Sequence, residues 1–396
     1  MNSTVETTSD KLKPSAIQER IKKLRMGTLT VHTSPEADVV IRQTRHEFLF
    51  GTAITNGLAE SDPNAMSDLD RNMFIKTLSE HFNCAVHENA MKWYDCEKQD
   101  GVVDYTIADR IWEYCRQLNI PMRGHCIFWE KDEYIMPWLR SLDNDRLRAA
   151  VKKRAIGVTE HFKGRIDEFD LNNEMINGEF FRRRLGYGII NEMAYMAKSG
   201  NPDITLFVND YGLLCGGGFN VESYQIQIQN LLDNGVPIGG IGCQGHSGPL
   251  LNIPMSAEHV QDTLDTFARF GLPIKITECL FDVLDEQMQA DDLRKILPVY
   301  FAHPAVSAIL FWGFWEGAHW RPWTALWRKD WTITPQGQAF QDLVFKEWWT
   351  TVSGKADAAG KFQTDAFFGD YIVTSNGDEQ KARLSKQNKS LHVQFT

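Results

Sequence analysis

The chain has 396 residues, 43% of them hydrophobic and 11% aromatic, with 12 Trp and 23 Phe and a formal net charge of −10. A chain of this length buries a sizeable core, and the composition is that of a globular enzyme rather than a disordered segment. The acidic balance, with no basic stripe against it, excludes nucleic acid as the principal partner, because phosphate binding needs a positive field. No window approaches 18 consecutive apolar residues, so no membrane span or membrane partner is expected.

From the N-terminus, "MNSTVETTSDKLKPSA" lacks a charged n-region followed by an apolar h-region, so no secretion signal is expected in it. Residues 1–15 are expected to be disordered. Residues 16–45 are expected to form a β segment, since "TLTVHTSPEADVVIRQT" alternates every second residue. Eight apolar runs follow, each ending in a polar or aromatic residue. They are "HEFLFGTAITN", "FNCAVHEN", "PMRGHCIFW", "RIDEFDLNNE", "ITLFVNDY", "GIGCQGH", "PIKITE" and "AVSAILFWG", with successive starts 32 to 44 residues apart. That interval accommodates one strand, one helix and two loops. The connecting segments have helical spacing: Ile107, Ile111, Cys115 and Leu118 in one, Val260, Leu264 and Phe267 in another, the second closed by Gly271. Eight alternations predict a (β/α)8 TIM barrel over residues 46–348. A doubly wound dinucleotide-binding sheet would carry a glycine-rich turn after its first strand, and "FGTAITNG" is not G-x-G-x-x-G. "CGGG" at 215–218 has no Lys-Ser/Thr behind it and reads as a loop. Residues 349–396 return to a two-residue alternation and are expected to form a small accessory β unit with the N-terminal segment, packed against the barrel.

Parallel barrels build their sites at the C-terminal ends of the strands. The residues terminating the runs are Glu88, His125, Glu174, Asn209, His246, Glu278 and Trp312. Each alone has a plain structural reading: a rim charge, a satisfied core histidine, a packed tryptophan. Their convergence at one face favours a site. Glu174 and Glu278, after the fourth and seventh runs, lie across the barrel mouth from one another, as an acid/base and a nucleophile acting on a glycosidic bond would. The seven cysteines are scattered and contain no C-x-x-C, which argues against a disulfide framework and against zinc.

The ordered series "FLFGTAI", "HENAMKWY", "RGHCIFWE", "FDLNNE", "LFVNDY", "GIGCQGH", "ITE" and "FWGFWEGAHWRP" resembles the glycoside hydrolase family 10 xylanases, including their plant-type branch, over about residues 46–345. The resemblance implies Glu174 as general acid/base and Glu278 as nucleophile of a retaining endo-β-1,4-xylanase, with no metal and no cofactor. It further implies that Asn173 bonds the sugar 2-hydroxyl, that Glu88, Asn89, Lys92, His125 and Trp129 line the non-reducing side, and that Gln244 and His246 hold Glu278 and the sugar. Asn209 and Tyr211 would stand towards the leaving group, and Trp312 and Trp320 would wall the subsite of the distorted sugar. The expected partner is xylan or a xylo-oligosaccharide, the expected state a monomer. The expected location is extracellular or secreted, with the cytoplasm as the alternative. Departures from the family motifs are Phe169 and Leu171-Asn172 in the fourth run, Glu130 where a histidine is often found, and Leu280 where Asp is common. A β-1,4-glucanase or mannanase on the same barrel is the nearest alternative, and a catalytically silent carbohydrate-binding protein is the rival from another class.

Overall fold

The computed structural model describes residues 7–60, 65–216, 218–247 and 255–395. Its first elements correct the expectation for the N-terminus. Thr8–Lys11 is helical, begun by a capping box in which Thr7 and Asp10 exchange bonds, and Pro14–Arg25 follows with Pro in the first turn. Residues 1–6 lie outside the described residues, but 7–15 are not disordered and 16–25 are not a β segment. The second helix docks through buried Ile21 onto helix Glu286–Ala302. Arg25 at its end donates to the carbonyls of Phe301 (2.8 Å) and Val306 (2.9 Å). The alternating pattern begins only at β1 (Met26–His32) and β2 (Asp38–His46).

The barrel strands are β3 (Leu49–Ile54), β4 (Cys84–His87), β5 (Met122–Arg123) with β6 (Phe128–Trp129), β7 (Glu168–Asn173), β8 (Thr205–Asp210), β9 (Ile238–Cys243), β10 (Ile274–Cys279) and β11 (Val306–Phe311). Neighbours in this order pair in parallel, and β11 returns to β3 with Ala308 opposite Leu49, which closes the ring. The third strand is in two pieces, joined to β7 through the Gly124–Phe169 bridge and the Trp129–Asn173 pair. The first barrel strand starts at Leu49 rather than His46, because Asp38–His46 is committed to an outer sheet. Between strands, Thr106–Gln117 buries Ala108, Ile111 and Cys115, and Ala257–Ala268 buries Val260, Leu264 and Phe267. These apolar stripes face the strands and leave their polar sides to solvent. All seven cysteines are free thiols and six are buried.

After the last barrel helix come β12 (Thr351–Lys355), β13 (Lys361–Phe367), β14 (Gly369–Ser375), β15 (Asp378–Leu384) and β16 (Ser390–Gln394). They form two sheets with the N-terminal strands, ordered β13-β1-β16 and β12-β2-β14-β15. Leu29, Val31, Ile41, Tyr371, Val373 and Val393 share one apolar core, so neither end of the chain completes this unit alone. The β14–β15 hairpin turns on Asn376-Gly377, both at positive φ (52° and 91°), as a two-residue primed turn requires.

Gly124 sits where the split third strand meets β7. A Cβ there would lie 2.1 Å from the Phe169 ring, and the ring is fully buried. Gly124→Ala should therefore lower the denaturant midpoint by the equivalent of about 1–3 kcal/mol, as overpacking does. Urea unfolding followed by tryptophan fluorescence checks this.

Candidate active site

Strand β7 ends on Asn173, and the chain then turns sharply. Glu174 takes φ +57°, a left-handed conformation unusual for a residue with a long side chain. Its backbone N–H still bonds the Asn209 carbonyl (2.8 Å), while Gly178 N–H folds back on the Glu174 carbonyl (3.0 Å). The turn thus begins at the strand end, where the carboxyl joins the cleft.

Three groups hold that carboxyl. Lys131 Nζ is 2.8 Å from Oε2, Trp129 Nε1 donates to the same oxygen at 3.1 Å, and Gln244 Nε2 donates to Oε1 at 3.0 Å. Across the floor, Glu278 Oε1 accepts from Asn209 Nδ2 (2.9 Å) and Oε2 from His246 Nε2 (3.1 Å). Asn209 Nδ2 also donates to Asn173 Oδ1 (2.9 Å), and Thr277 Oγ1 donates to Asn209 Oδ1 (2.6 Å), which fixes the amide's orientation. The two carboxylates thus belong to one hydrogen-bonded floor. Burial alone would raise the Glu278 carboxyl, but the His246 bond and the charges of His125, His246 and Lys92 outweigh it and hold the group below its ordinary value.

The walls rise from the other strand ends. Lys92 Nζ lies 4.6 Å from the Trp129 ring and 5.6 Å from that of Trp312, and donates to Asn89 Oδ1 (3.1 Å). Beside it, burial raises the Glu88 carboxyl, offset in part by the Lys92 charge and an Asn89 bond. His125 passes its Nδ1 to Asp170 (2.8 Å) and meets Trp312 edge-on at 5.1 Å. Trp320, 50% exposed, overhangs His246 at 5.6 Å. The cleft measures about 560 Å³, and of the fourteen residues proposed from the sequence all but Asn209 line it. Asn209 is buried just beneath. Among the described residues no group of three or more His, Cys, Asp or Glu is placed to hold a metal.

Sequence reasoning missed Lys131, Tyr94, Tyr134 and Arg321, which also line the cleft, and Asp210 below it. Tyr134 stacks on Trp129 with centroids 3.7 Å apart, yet "EKDEY" reads as a solvated charged loop and gives no signal. Asp210 was open to the strand-end rule, being the last residue of β8. Its carboxyl accepts from the N–H groups of Ile176 and Tyr211 (both 2.9 Å), and burial, helped by the Glu174 charge, pushes it up to about 7 against those bonds.

The departures from the family motifs fall outside the cleft floor. Glu130 is fully buried and accepts from Asn172 Nδ2 (3.0 Å) and Arg182 Nε (2.8 Å). Two of the unusual residues are thus bonded to each other behind the site, and Phe169 and Leu171 are core. Leu280 differs, because it lines the cleft and forms a strand bridge with His246. His246 Nδ1 is buried with no hydrogen-bond partner among the described residues. Asp282 does not serve it: its Oδ1 accepts from Trp323 Nε1 (2.7 Å) and its Oδ2 faces Arg321 at 3.4 Å.

A closed parallel barrel with two glutamates on a shared amide floor under tryptophan walls is the architecture of the glycoside hydrolase class. The chain belongs to glycosyl hydrolase family 10, whose model matches residues 41–342. It is 36% identical over 370 residues to the anti-sigma-I factor RsgI6 of Acetivibrio thermocellus, covering 90% of this chain and 46% of that protein. With endo-1,4-beta-xylanase 1 of Arabidopsis thaliana it shares 35% identity over 340 residues, 85% of this chain and 34% of the relative. The chain therefore spans less than half the length of these relatives. Among solved structures it superposes on xylanase 10B of Thermotoga petrophila RKU-1, in complex with xylobiose, with a TM-score of 0.68 at 24% identity, over 76% of this chain and 94% of that one.

The pH dependence of two groups is testable. A carboxyl raised in the folded state contributes stability that is complete below its unfolded pKa and is lost as pH rises through its folded value. Asp210→Asn should therefore gain on the parent between about pH 4 and 7, by up to about 4 kcal/mol, and the difference should be level above that range; urea denaturation across pH reads it. Leu280→Asp should place a carboxylate beside His246, favour the imidazolium, and stabilise ionised Glu278. The acid limb of kcat/KM should then move to lower pH, with Leu280→Asn, which adds no charge, leaving it in place.

Proposed function

We propose that the chain is an endo-acting, retaining glycoside hydrolase that cleaves β-1,4-xylosidic bonds in xylan. The observation that carries this reading is the floor on which Asn209, Asn173 and Gln244 link Glu278 to Glu174 beneath an aromatic cleft. In this mechanism Glu278, held ionised by the His246 bond and the charges of His125 and Lys92 and oriented by Asn209, attacks the anomeric carbon while Glu174 delivers its proton to the departing glycosidic oxygen. The covalent glycosyl-enzyme is then opened by water, with Glu174 now taking the proton, so the product keeps the substrate's anomeric configuration. Asn173 accepts both of its floor bonds through Oδ1, which leaves Nδ2 as the donor to the sugar 2-hydroxyl. Hydrogen bonds to the 2-hydroxyl that tighten in the transition state favour it over the bound substrate. Trp312 and Trp320 present apolar faces to the sugars, Trp129, stacked on Tyr134, lines the non-reducing side, and Lys92, Asn89 and Glu88 present polar groups to the sugar hydroxyls there. Tyr211 stands on the leaving-group side.

A polymeric substrate fits an extracellular or secreted site of action. Among the described residues no helix is long and apolar enough to cross a membrane.

Reducing-sugar release should be strongest on xylan, and a faster release from β-glucan or mannan would replace the substrate assignment. The carboxyl groups of Glu174 and Glu278 should lie about 5–5.5 Å apart in a xylo-oligosaccharide complex, and a proton NMR time course should show the retained anomer first. Glu278→Ala should abolish turnover. Glu174→Ala should cost on the order of 10²–10⁴-fold with poor leaving groups and far less with activated aryl glycosides, on which added azide restores rate. Equal losses on both substrate types would reassign Glu174.

A further inference from the structure

On the far side of the Glu174 turn lies a second hollow of about 600 Å³, between helices Ile189–Gly200 and Gly218–Asp233. Its rim carries three large apolar side chains left open to solvent: Tyr187 is 74% exposed, Phe219 76% and Ile226 56%. Single exposed apolar residues are ordinary, but three around one hollow mark a binding surface. Its floor is apolar, with Met175, Ile190 and Leu231 buried. Between rim and floor the lining is neutral and polar, from the amides of Asn191, Gln227, Asn230 and Asn234 and the hydroxyl of Ser223. Gln227 Oε1 is buried with no hydrogen-bond partner among the described residues.

We propose that this groove is a second saccharide site, which holds a stretch of the same β-1,4-xylan outside the catalytic cleft. The inference rests on the function proposed above and extends it to polymer capture. Charge and chemistry select the occupant. Among the described residues of the lining the single ionisable cation, Arg182, is committed to Glu130 Oε1 (2.8 Å) and to the Met175 and Gly178 carbonyls, so they offer no free charge to an anionic ligand. Flat rings flanking amides match a pyranose, whose C–H face stacks on an aromatic ring while its equatorial hydroxyls exchange hydrogen bonds with carboxamides. Continuity with the cleft selects the source. Met175 and Ile176, which line the groove, directly follow Glu174, and Asn177 of the same turn donates to the Tyr211 hydroxyl (2.9 Å) on the cleft side. One short turn therefore serves as the wall of both sites, and a chain held in the groove is kept beside the catalytic face.

The test uses the full chain. Affinity electrophoresis through native gels containing soluble xylan, with Glu278→Ala as background to prevent digestion, reads polymer binding. Adding Tyr187→Ser and Phe219→Ser should weaken retention roughly tenfold, as the loss of two ring contacts would. In the otherwise unchanged enzyme the same pair should leave kcat/KM on an aryl xylobioside within about twofold, because that substrate is too short to reach the groove. Tyr187→Trp, which keeps a stacking face, should restore retention when combined with native Phe219. Unchanged retention in the double variant overturns the proposal, as does an equal loss on the aryl xylobioside, which would place these residues in the catalytic cleft. A parent that is dimeric by light scattering and becomes monomeric in the double variant would show the face to be a self-interface and also overturn it. If the parent neither binds nor cleaves xylan, it is the functional reading that fails, and the groove assignment falls with it.

Discussion

The buried carboxylate of Asp170 is the contact on which the rest of the site depends. It receives both terminal nitrogens of Arg123, at 2.6 and 3.0 Å, and Nδ1 of His125 at 2.8 Å. Burial alone would raise this carboxyl, yet the Arg123 charge and the His125 bond outweigh it and keep it below its ordinary value. Arg123 continues to Glu168 (3.1 Å), and Lys275 reaches Glu168 from β10, across the interior, so the base of the barrel is spanned by ion pairs as well as by packing. Buried pairs contribute little net stability because of the desolvation they cost, but removing one partner leaves a stranded charge. The network therefore specifies how strands meet. It ties the broken third strand to β7, and by taking His125 Nδ1 it turns the remaining ring nitrogen towards the cleft.

Above this base the amides do the positioning. Thr277 orients Asn209, Asn209 reaches both Asn173 and Glu278, and Gln244 reaches both Asn173 and Glu174. Carboxamides suit the task, since each carries donor and acceptor and none adds charge to a floor that already holds two carboxylates. The two glutamates consequently sit in different surroundings. Glu278 is 4% exposed and met by an imidazole and an amide, while Glu174 meets an ammonium and an indole as well as the Gln244 amide. Differences of this kind give two like residues separate roles.

Most of this floor was legible because a parallel barrel delivers every strand end to one face, so the terminal residues of eight runs could be read as neighbours without knowing any distance. His125, Asn209, Gln244 and Glu278 were found in that way or by motif. Contributions from loops were not legible: Lys131 and Tyr134 lie in a charged segment whose only sequence signal is solvation, and their places depend on how that loop folds back over Trp129. The N-terminal helices were missed for a related reason. The segment before Met26 is lysine-rich and short, and its helicity rests on a capping box, a Pro start and the docking of Ile21 rather than on a strong apolar stripe. The accessory β strands showed their period, but their division into two sheets depends on pairings between residues more than 300 positions apart, such as Met26 with Phe367.

The residues that set this chain apart from its family's motifs divide into two kinds, and the division says where its own behaviour resides. Glu130 and Asn172 bond each other and Arg182, so each satisfies the polar atom that the other buries, and the pair stays behind the cleft wall. A change compensated within its own contacts transmits little to the reacting atoms. Leu280 has no such counterpart. It is 2% exposed and apolar, beside a histidine whose second nitrogen has no partner among the described residues, and that histidine is one of two donors on Glu278. An imidazole without a carboxylate behind it is less firmly held in one orientation than one in a His–carboxylate pair. Glu278 therefore leans more heavily on Asn209, whose amide is fixed by Thr277 and carries no titratable proton. The part of the floor that ties the two glutamates together thus also supports Glu278 through groups that carry no titratable proton.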